Sequence, residues 1–101
     1  MISYTTEEQT LTVAIFGEID HHTAGDLRRE IDRLIRKHLP RTLVLDFGQV
    51  DFCDSSGIAV VLGRYKLMSS LGGQVRLCRL SSAVRYIFEL ADLKKLVQIE
   101  E

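Results

Sequence analysis

The hydrophobic pattern of the chain switches repeatedly between two periods. Leu11, Val13 and Ile15 in "LTVAIFG" (11–17) alternate with other residues, the period of a strand with one buried face. "ISYTTEEQ" just before it predicts a partner strand, with a turn near Glu7-Glu8-Gln9. From Thr23 onward, Ala24, Leu27, Ile31, Leu34 and Ile35 fall three and four apart with charges between them, the stripe of an amphipathic helix. Thr23 followed by Asp26 resembles a capping arrangement at its start, and Pro40 marks its stop. "TLVLDF" (42–47) is a nearly continuous apolar run after a helix, as expected of a parallel strand covered on both faces. Ile58, Val61, Leu62, Tyr65 and Met68 mark a second helix face, which Gly72-Gly73 ends. "QVRLCRL" (74–80) reads as the next strand, and Ser81-Ser82 as caps for a helix burying Val84, Ile87, Phe88 and Ala91. The tail "LKKLVQIE" fits a final helical turn and a short edge strand equally well.

This order predicts an α/β domain with a mostly parallel sheet that begins with an antiparallel hairpin. Right-handed crossovers are then expected, and in such sheets sites form beyond the carboxyl ends of the strands. Two loops should meet there, "GEIDHHT" (17–23) and "DFCDSSG" (51–57). A chain of 101 residues makes one domain, with a core small for an enzyme but ample for a folded module. Hydrophobic residues at 46 % and charged residues at 27 % are ordinary for a globular protein. A formal charge of −1 with no basic stripe leaves no electrostatic footprint for nucleic acid. The apolar runs are far too short to span a bilayer, and "MISYTTEEQT" lacks the basic start and apolar stretch of a signal peptide. Cys53 and Cys78 lie in strand-like contexts and read as reduced core thiols of a cytosolic protein.

The chemistry concentrates in "DFCDSSGIAVVLGRY" (51–65), where Asp54-Ser55-Ser56-Gly57 lies between a strand and a helix. A serine hydrolase would draw its base from His21 or His22, but the G-x-S-x-G elbow is absent and nothing builds a substrate pocket. A nucleotide-binding P-loop needs more glycines and a lysine, whereas Gly57 is followed by Ile58. A phospho-accepting receiver aspartate at Asp54 would need an acid pair after the first strand and a lysine after "QVRLCRL"; the acids Glu18 and Asp20 are separated, and the lysine is missing. The cysteines are far apart and the two adjacent histidines cannot form a helical ligand pair, so no metal set is evident.

Two readings survive. Asp54 and Ser55 cap a helix starting near Ser56, worth on the order of 1 kcal/mol. Alternatively the block is a modification site, because capping needs one residue and three polar groups stand in a row. Phosphate on a serine at a helix N-terminus would meet free backbone N–H groups and the positive end of the dipole. It would add about −1.5 to −2 charges beside Asp54, with Asp20 in the neighbouring loop.

"GEIDHHTA" (17–24), "DFCDSSGIAVVLGRYK" (51–66) and "GGQVRLCRLSSAVRYIFELADL" (72–93), in this order and spacing, resemble the anti-sigma factor antagonists, the small single-domain STAS proteins, and most nearly their sporulation branch. The resemblance implies one STAS domain over residues 1–101: a mixed, mostly parallel sheet of four to five strands, beginning with an antiparallel hairpin, with three to four helices. It implies a non-enzymatic bacterial cytoplasmic protein that binds an anti-sigma factor serine kinase (the sporulation AB type) and so releases sigma-F. ATP on that kinase would supply a phosphate to Ser55, and a PP2C-type phosphatase would remove it; no other cofactor is implied. Carried over residue by residue, the partner-binding set is Asp20, Asp54, Ser55, Ser56, Gly57 and Ile58, with Ser56-Gly57 opening the helix. The free protein is expected to be a monomer. The general stress-response antagonists are the nearest alternative. Arg64 of "GRYK" is a surface-contact candidate, while Tyr65 falls on the predicted core stripe. Ala59 stands where many relatives have glycine, and Cys53 where methionine is common.

Overall fold

A computed structural model describes residues 1–100. Strands β1 (Ile2–Glu7) and β2 (Thr10–Ile19) form the expected antiparallel hairpin. Its two-residue turn puts Glu8 and Gln9 at φ 48° and 68°, the doubly left-handed geometry whose twist matches a hairpin. Next along the chain come helix α1 (Ala24–His38), strand β3 (Thr42–Cys53), helix α2 (Ser56–Ser70), strand β4 (Gln74–Cys78) and helix α3 (Ser82–Leu90). The tail realises both alternatives: Leu93–Lys95 is a 3-10 turn, and β5 (Gln98–Ile99) pairs parallel with β4. The sheet order is β1-β2-β3-β4-β5, parallel from β2 onward.

All three crossovers run the same way along the sheet, so right-handed connections put every helix on one face. Burial alternates accordingly. Leu11, Val13, Ile15, Leu43, Leu45, Phe47, Val75 and Leu77 are buried under the helices, whereas Thr12, Ala14, Asp46, Arg76 and Cys78 between them are half-buried. The expectation that "TLVLDF" is covered on both faces is therefore corrected: helices cover one. Val44 on the other face is nevertheless buried, in the middle strand and flanked in register by Thr12 and Arg76.

α1 buries the predicted stripe of Ala24, Leu27, Ile31, Leu34 and Ile35. The stripe of α2 differs from the predicted one. Gly57, Val60, Val61, Arg64 and Met68 are buried, while Ile58, Leu62 and Tyr65 pack half-buried at the core's edge. Arg64 is thus no surface residue. Its Nε lies 2.8 Å from Asp32 Oδ1 on α1, and its Nη2 donates to Oδ2 at 3.4 Å. Burial lowers the guanidinium's affinity for its proton, and the Asp32 charge works against that. Hydropathy cannot foresee a buried arginine, because what permits it is an acid on another helix.

β3 is also twice as long as the apolar run that signalled it, and "QVRLCRL" stops being strand at Cys78. Beyond the last β3–β4 pair, Asp46 with Cys78, residues 49–53 of β3 continue with 16–19 of β2 as a two-stranded ribbon. Two register shifts, at Ala14/Phe16 and Gly17/Glu18, give β3 an extra residue each time. Such bulges bend a strand and strengthen its twist.

Candidate functional site

The ribbon ends where the two loops begin. Ile19 and Cys53 are register partners, and the Asp54 N–H donates to the Ile19 carbonyl at 3.1 Å. The convergence of the 17–23 and 51–57 loops, expected from the fold class, is realised by this bond.

Each loop is organised by its aspartate. Asp20 Oδ1 accepts the N–H groups of His22 (2.8 Å) and Thr23 (3.0 Å), and its carbonyl accepts those of Thr23 and Ala24. Burial works to raise the Asp20 carboxyl, but these backbone donors outweigh it and hold it below the ordinary 3.8. The predicted Thr23–Asp26 cap is not formed. Thr23 Oγ1 instead donates to the Glu18 carbonyl (2.9 Å) and accepts the Asp20 N–H (3.0 Å), while Asp26 pairs with Arg29.

In the second loop, Asp54 Oδ1 accepts the Ser56 N–H at 2.7 Å, and the Asp54 carbonyl accepts the Gly57 N–H at 3.0 Å. Asp54 is therefore the cap. Ser55, expected to share that task, is already in helical conformation (φ −63°, ψ −14°), makes no capping hydrogen bond and is exposed. The Ile58 N–H is taken by the Ser55 carbonyl at 3.0 Å. The first three N–H groups of α2 thus have acceptors, contrary to the picture of free donors awaiting a phosphate. A group on Ser55 Oγ would project from a completed helix start into solvent.

Beneath the loop, Gly57 is required by close approach. A Cβ there would lie 2.3 Å from Cys53 Sγ and 3.4 Å from the ring of Phe88. Phe88 in turn meets Phe47 edge-on, with centroids 5.5 Å apart. The chain β3–Cys53–Gly57–α3 anchors the start of α2 to the core. Burial, aided by the Asp54 charge and opposed by the Gly57 N–H, pushes the Cys53 thiol up to about 11, so it is a packing group. Cys53 and Cys78 are both free thiols.

Of the residues singled out from sequence, Asp20, Asp54, Ser55, Ser56, Gly57 and Ile58 lie on these two adjoining loops and the first turn of α2. His21 and His22 are exposed, with their rings 4.0 Å from each other, and neither hydrogen-bonds Ser55 or Ser56. Phe52 is a neighbour that the sequence reading misses. It is 52 % exposed and faces Glu18 across the ribbon beside the site. The glycine inside "DFGQVDFC" is the available signal that this strand bulges and continues.

A sheet that opens with a hairpin, carries its helices on one face and displays an Asp-capped helix start after β3 belongs to a known class: the STAS domain model matches residues 1–101, and the chain belongs to that family. Within the family it groups with the anti-sigma factor antagonists. It is 36 % identical over 89 residues to the anti-sigma F factor antagonist of Paenibacillus polymyxa, covering 88 % of this chain and 76 % of that one. To the anti-sigma-B factor antagonist of Bacillus subtilis it is 30 % identical over 92 residues, covering 91 % and 83 %. The anti-sigma factor antagonist SpoIIAA, solved unphosphorylated, superposes with a TM-score of 0.83 at 27 % identity, over 100 % of this chain and 89 % of that one. The phosphorylated form of SpoIIAA, described as a Bacillus cell fate determinant, gives 0.75 at 26 % identity, over 100 % and 92 %.

Proposed function

We propose that this protein is a binding switch of the bacterial cytoplasm, controlled by phosphorylation of Ser55. Unmodified, it holds an anti-sigma factor that is also a serine kinase, through Asp20, Asp54, Ser55, Ser56, Gly57 and Ile58, and so frees a sigma factor. The carrying observation is the division of labour at α2: Asp54 caps the helix, which leaves the exposed Ser55 hydroxyl outside the capping bonds. Phosphoryl transfer forms a bond from Ser55 Oγ to the γ-phosphorus of ATP on the kinase and breaks the bond to the bridging oxygen. ADP leaves, and the hydroxyl proton passes to a base on the kinase. Ser55 is thus a substrate, and a PP2C-type phosphatase restores its hydroxyl by hydrolysis, water supplying the oxygen that leaves with inorganic phosphate.

The product carries about −1.5 to −2 charges next to the Asp54 carboxylate. Two like charges 4 Å apart repel by about 4 kcal/mol at an effective dielectric of 20, and solvent reduces that. An acidic group that the partner brings to such a distance would, at even a third of that energy, weaken binding tenfold. A partner surface matched to the neutral hydroxyl loses affinity, and the fold need not rearrange.

The sporulation branch, with sigma-F as the released factor, is favoured by the higher identity to the anti-sigma F antagonist; the general stress-response reading is supported by the 30 % identity to the anti-sigma-B antagonist. Incubating the protein with ATP and an anti-sigma factor kinase of the sigma-F type, and separately with one of the sigma-B type, then mapping the phosphate, tests the proposal. An acid-stable phosphate on Ser55 is expected, from one kinase far faster than from the other. An acid-labile acyl phosphate on Asp54 sinks it.

A further inference from the structure

We infer that Asp46, Gly48 and Arg79 form a clamp on the first β3 bulge, and that this clamp sets the register in which Asp54 and Ser55 are displayed. The inference rests on the reading of Ser55 as the modified residue for its consequence, though not for its geometry.

Between the pairs Ala14–Asp46 and Phe16–Gln49, β2 has one residue and β3 has two, Phe47 and Gly48. Backbone at such a place leaves the ladder and needs another partner. Asp46 supplies it, since its Oδ1 accepts the Gly48 N–H at 2.9 Å. Arg79, just past the end of β4, then grips the same carboxylate in a fork, Nε to Oδ1 at 2.9 Å and Nη2 to Oδ2 at 2.8 Å. Arg79 has the left-handed φ of 58°, unusual for a residue with a side chain, at the point where the chain turns out of the sheet. Its guanidinium lies over Gly48 so closely that a Cβ there would be 2.5 Å from Cζ. The bulge is therefore held by two side chains, Asp46 and Arg79, that nothing else in the site uses.

The bulge governs the remainder of the strand, as far as the loop that carries Ser55. From Ala14–Asp46 to Ile19–Cys53, seven steps of β3 run beside five of β2. Side chains alternate with a period of two, so removing one bulge turns every later residue to the opposite face. Cys53 would leave its place beneath Gly57, and the Asp54 N–H would lose the Ile19 carbonyl. Asp46 and Arg79 are thus positioning residues for Ser55.

Amide hydrogen exchange on the full chain, read residue by residue by NMR, tests this with Asp46→Ala, Asp46→Asn and Arg79→Gln. Losing a charge-assisted clamp should speed exchange of the Gly48 and Asp54 amides in Asp46→Ala about tenfold relative to Leu45 and Leu77. Asp46→Asn keeps an oxygen for the Gly48 N–H but sets an amide NH2 against the Arg79 guanidinium, so it should restore part of the protection, to about the level of Arg79→Gln. Arg79→Gln changes a largely exposed side chain and should fold, with both amides exchanging several-fold faster. Unchanged relative protection in Arg79→Gln, or equal loss at all four amides in Asp46→Ala, overturns the clamp. The phosphorylation arm is separate: kcat/KM at Ser55 should fall in Asp46→Ala and recover in part in Asp46→Asn. Absence of phosphate on wild-type Ser55 would defeat the Ser55 reading while the exchange data still decide the clamp.

Discussion

Asp20 and Asp54 occupy equivalent places, each one residue beyond a register partner, Ile19 or Cys53, at the ends of neighbouring parallel strands. Each ties down the backbone that enters a helix, Asp20 for α1 and Asp54 for α2. A bond between their loops, Asp54 N–H to the Ile19 carbonyl, holds the two helix starts side by side. A phosphate on Ser55 would add to charge already gathered there.

Binding to the anti-sigma factor kinase should track charge at position 55 rather than hydroxyl chemistry. Ser55→Ala should bind as tightly as the unmodified protein, and Ser55→Asp at least about tenfold more weakly, as measured by calorimetry. Equal affinities for the two variants would rule out the charge switch.

Stability should separate the neighbours Asp54 and Ser55. Asp54→Ala removes the acceptor for the Ser56 N–H and should cost about 1 kcal/mol, within the range for lost caps. Ser55→Ala removes no capping bond and should stay within about 0.5 kcal/mol of wild type in urea unfolding.

Gly57→Ala drives a methyl group to 2.3 Å from Cys53 Sγ, and should destabilise by about 1–3 kcal/mol. Adding Cys53→Ala vacates that space. The double variant should then be more stable than the sum of the single losses, a coupling that a denaturation double-mutant cycle reads directly.

Acid should weaken the fold through Asp46 and Asp20. The Arg79 hydrogen bonds hold the Asp46 carboxyl below its ordinary 3.8, and backbone donors do the same for Asp20. A depressed folded value means the unfolded chain takes up the proton first as pH falls. The stabilisation is therefore complete above the ordinary value, and is lost as pH falls through it toward the folded one. Urea midpoints should hold from pH 7 to about 5 and then drop, with a shallower drop in Asp46→Asn.

Much of this is legible in the sequence alone. The α1 stripe agrees residue for residue, because Ala24 to Ile35 obeys one period on one helix against one face. Ser81 reads as a cap, and it accepts the Val84 N–H at 3.2 Å. The readings that fail depend either on groups distant in sequence or on a local competitor. The stripe of α2 is misplaced by its periodicity because a glycine packs there against Cys53 and an arginine is neutralised by Asp32. Thr23 looks like a cap because a hydroxyl stands three residues before an acid, whereas the organiser is Asp20 upstream.

The periodicities and turn residues thus determined the order of strands and helices and the meeting of the two loops, since those result from local pattern and crossover handedness. Tertiary structure alone decided where β3 ends, which face of the sheet stays bare, and which of Asp54 and Ser55 caps α2. Those outcomes turn on the β3 bulges, the strand order of the sheet and the fit of Gly57 against Cys53. Such contacts form only between segments that the chain brings together after its local pattern is complete.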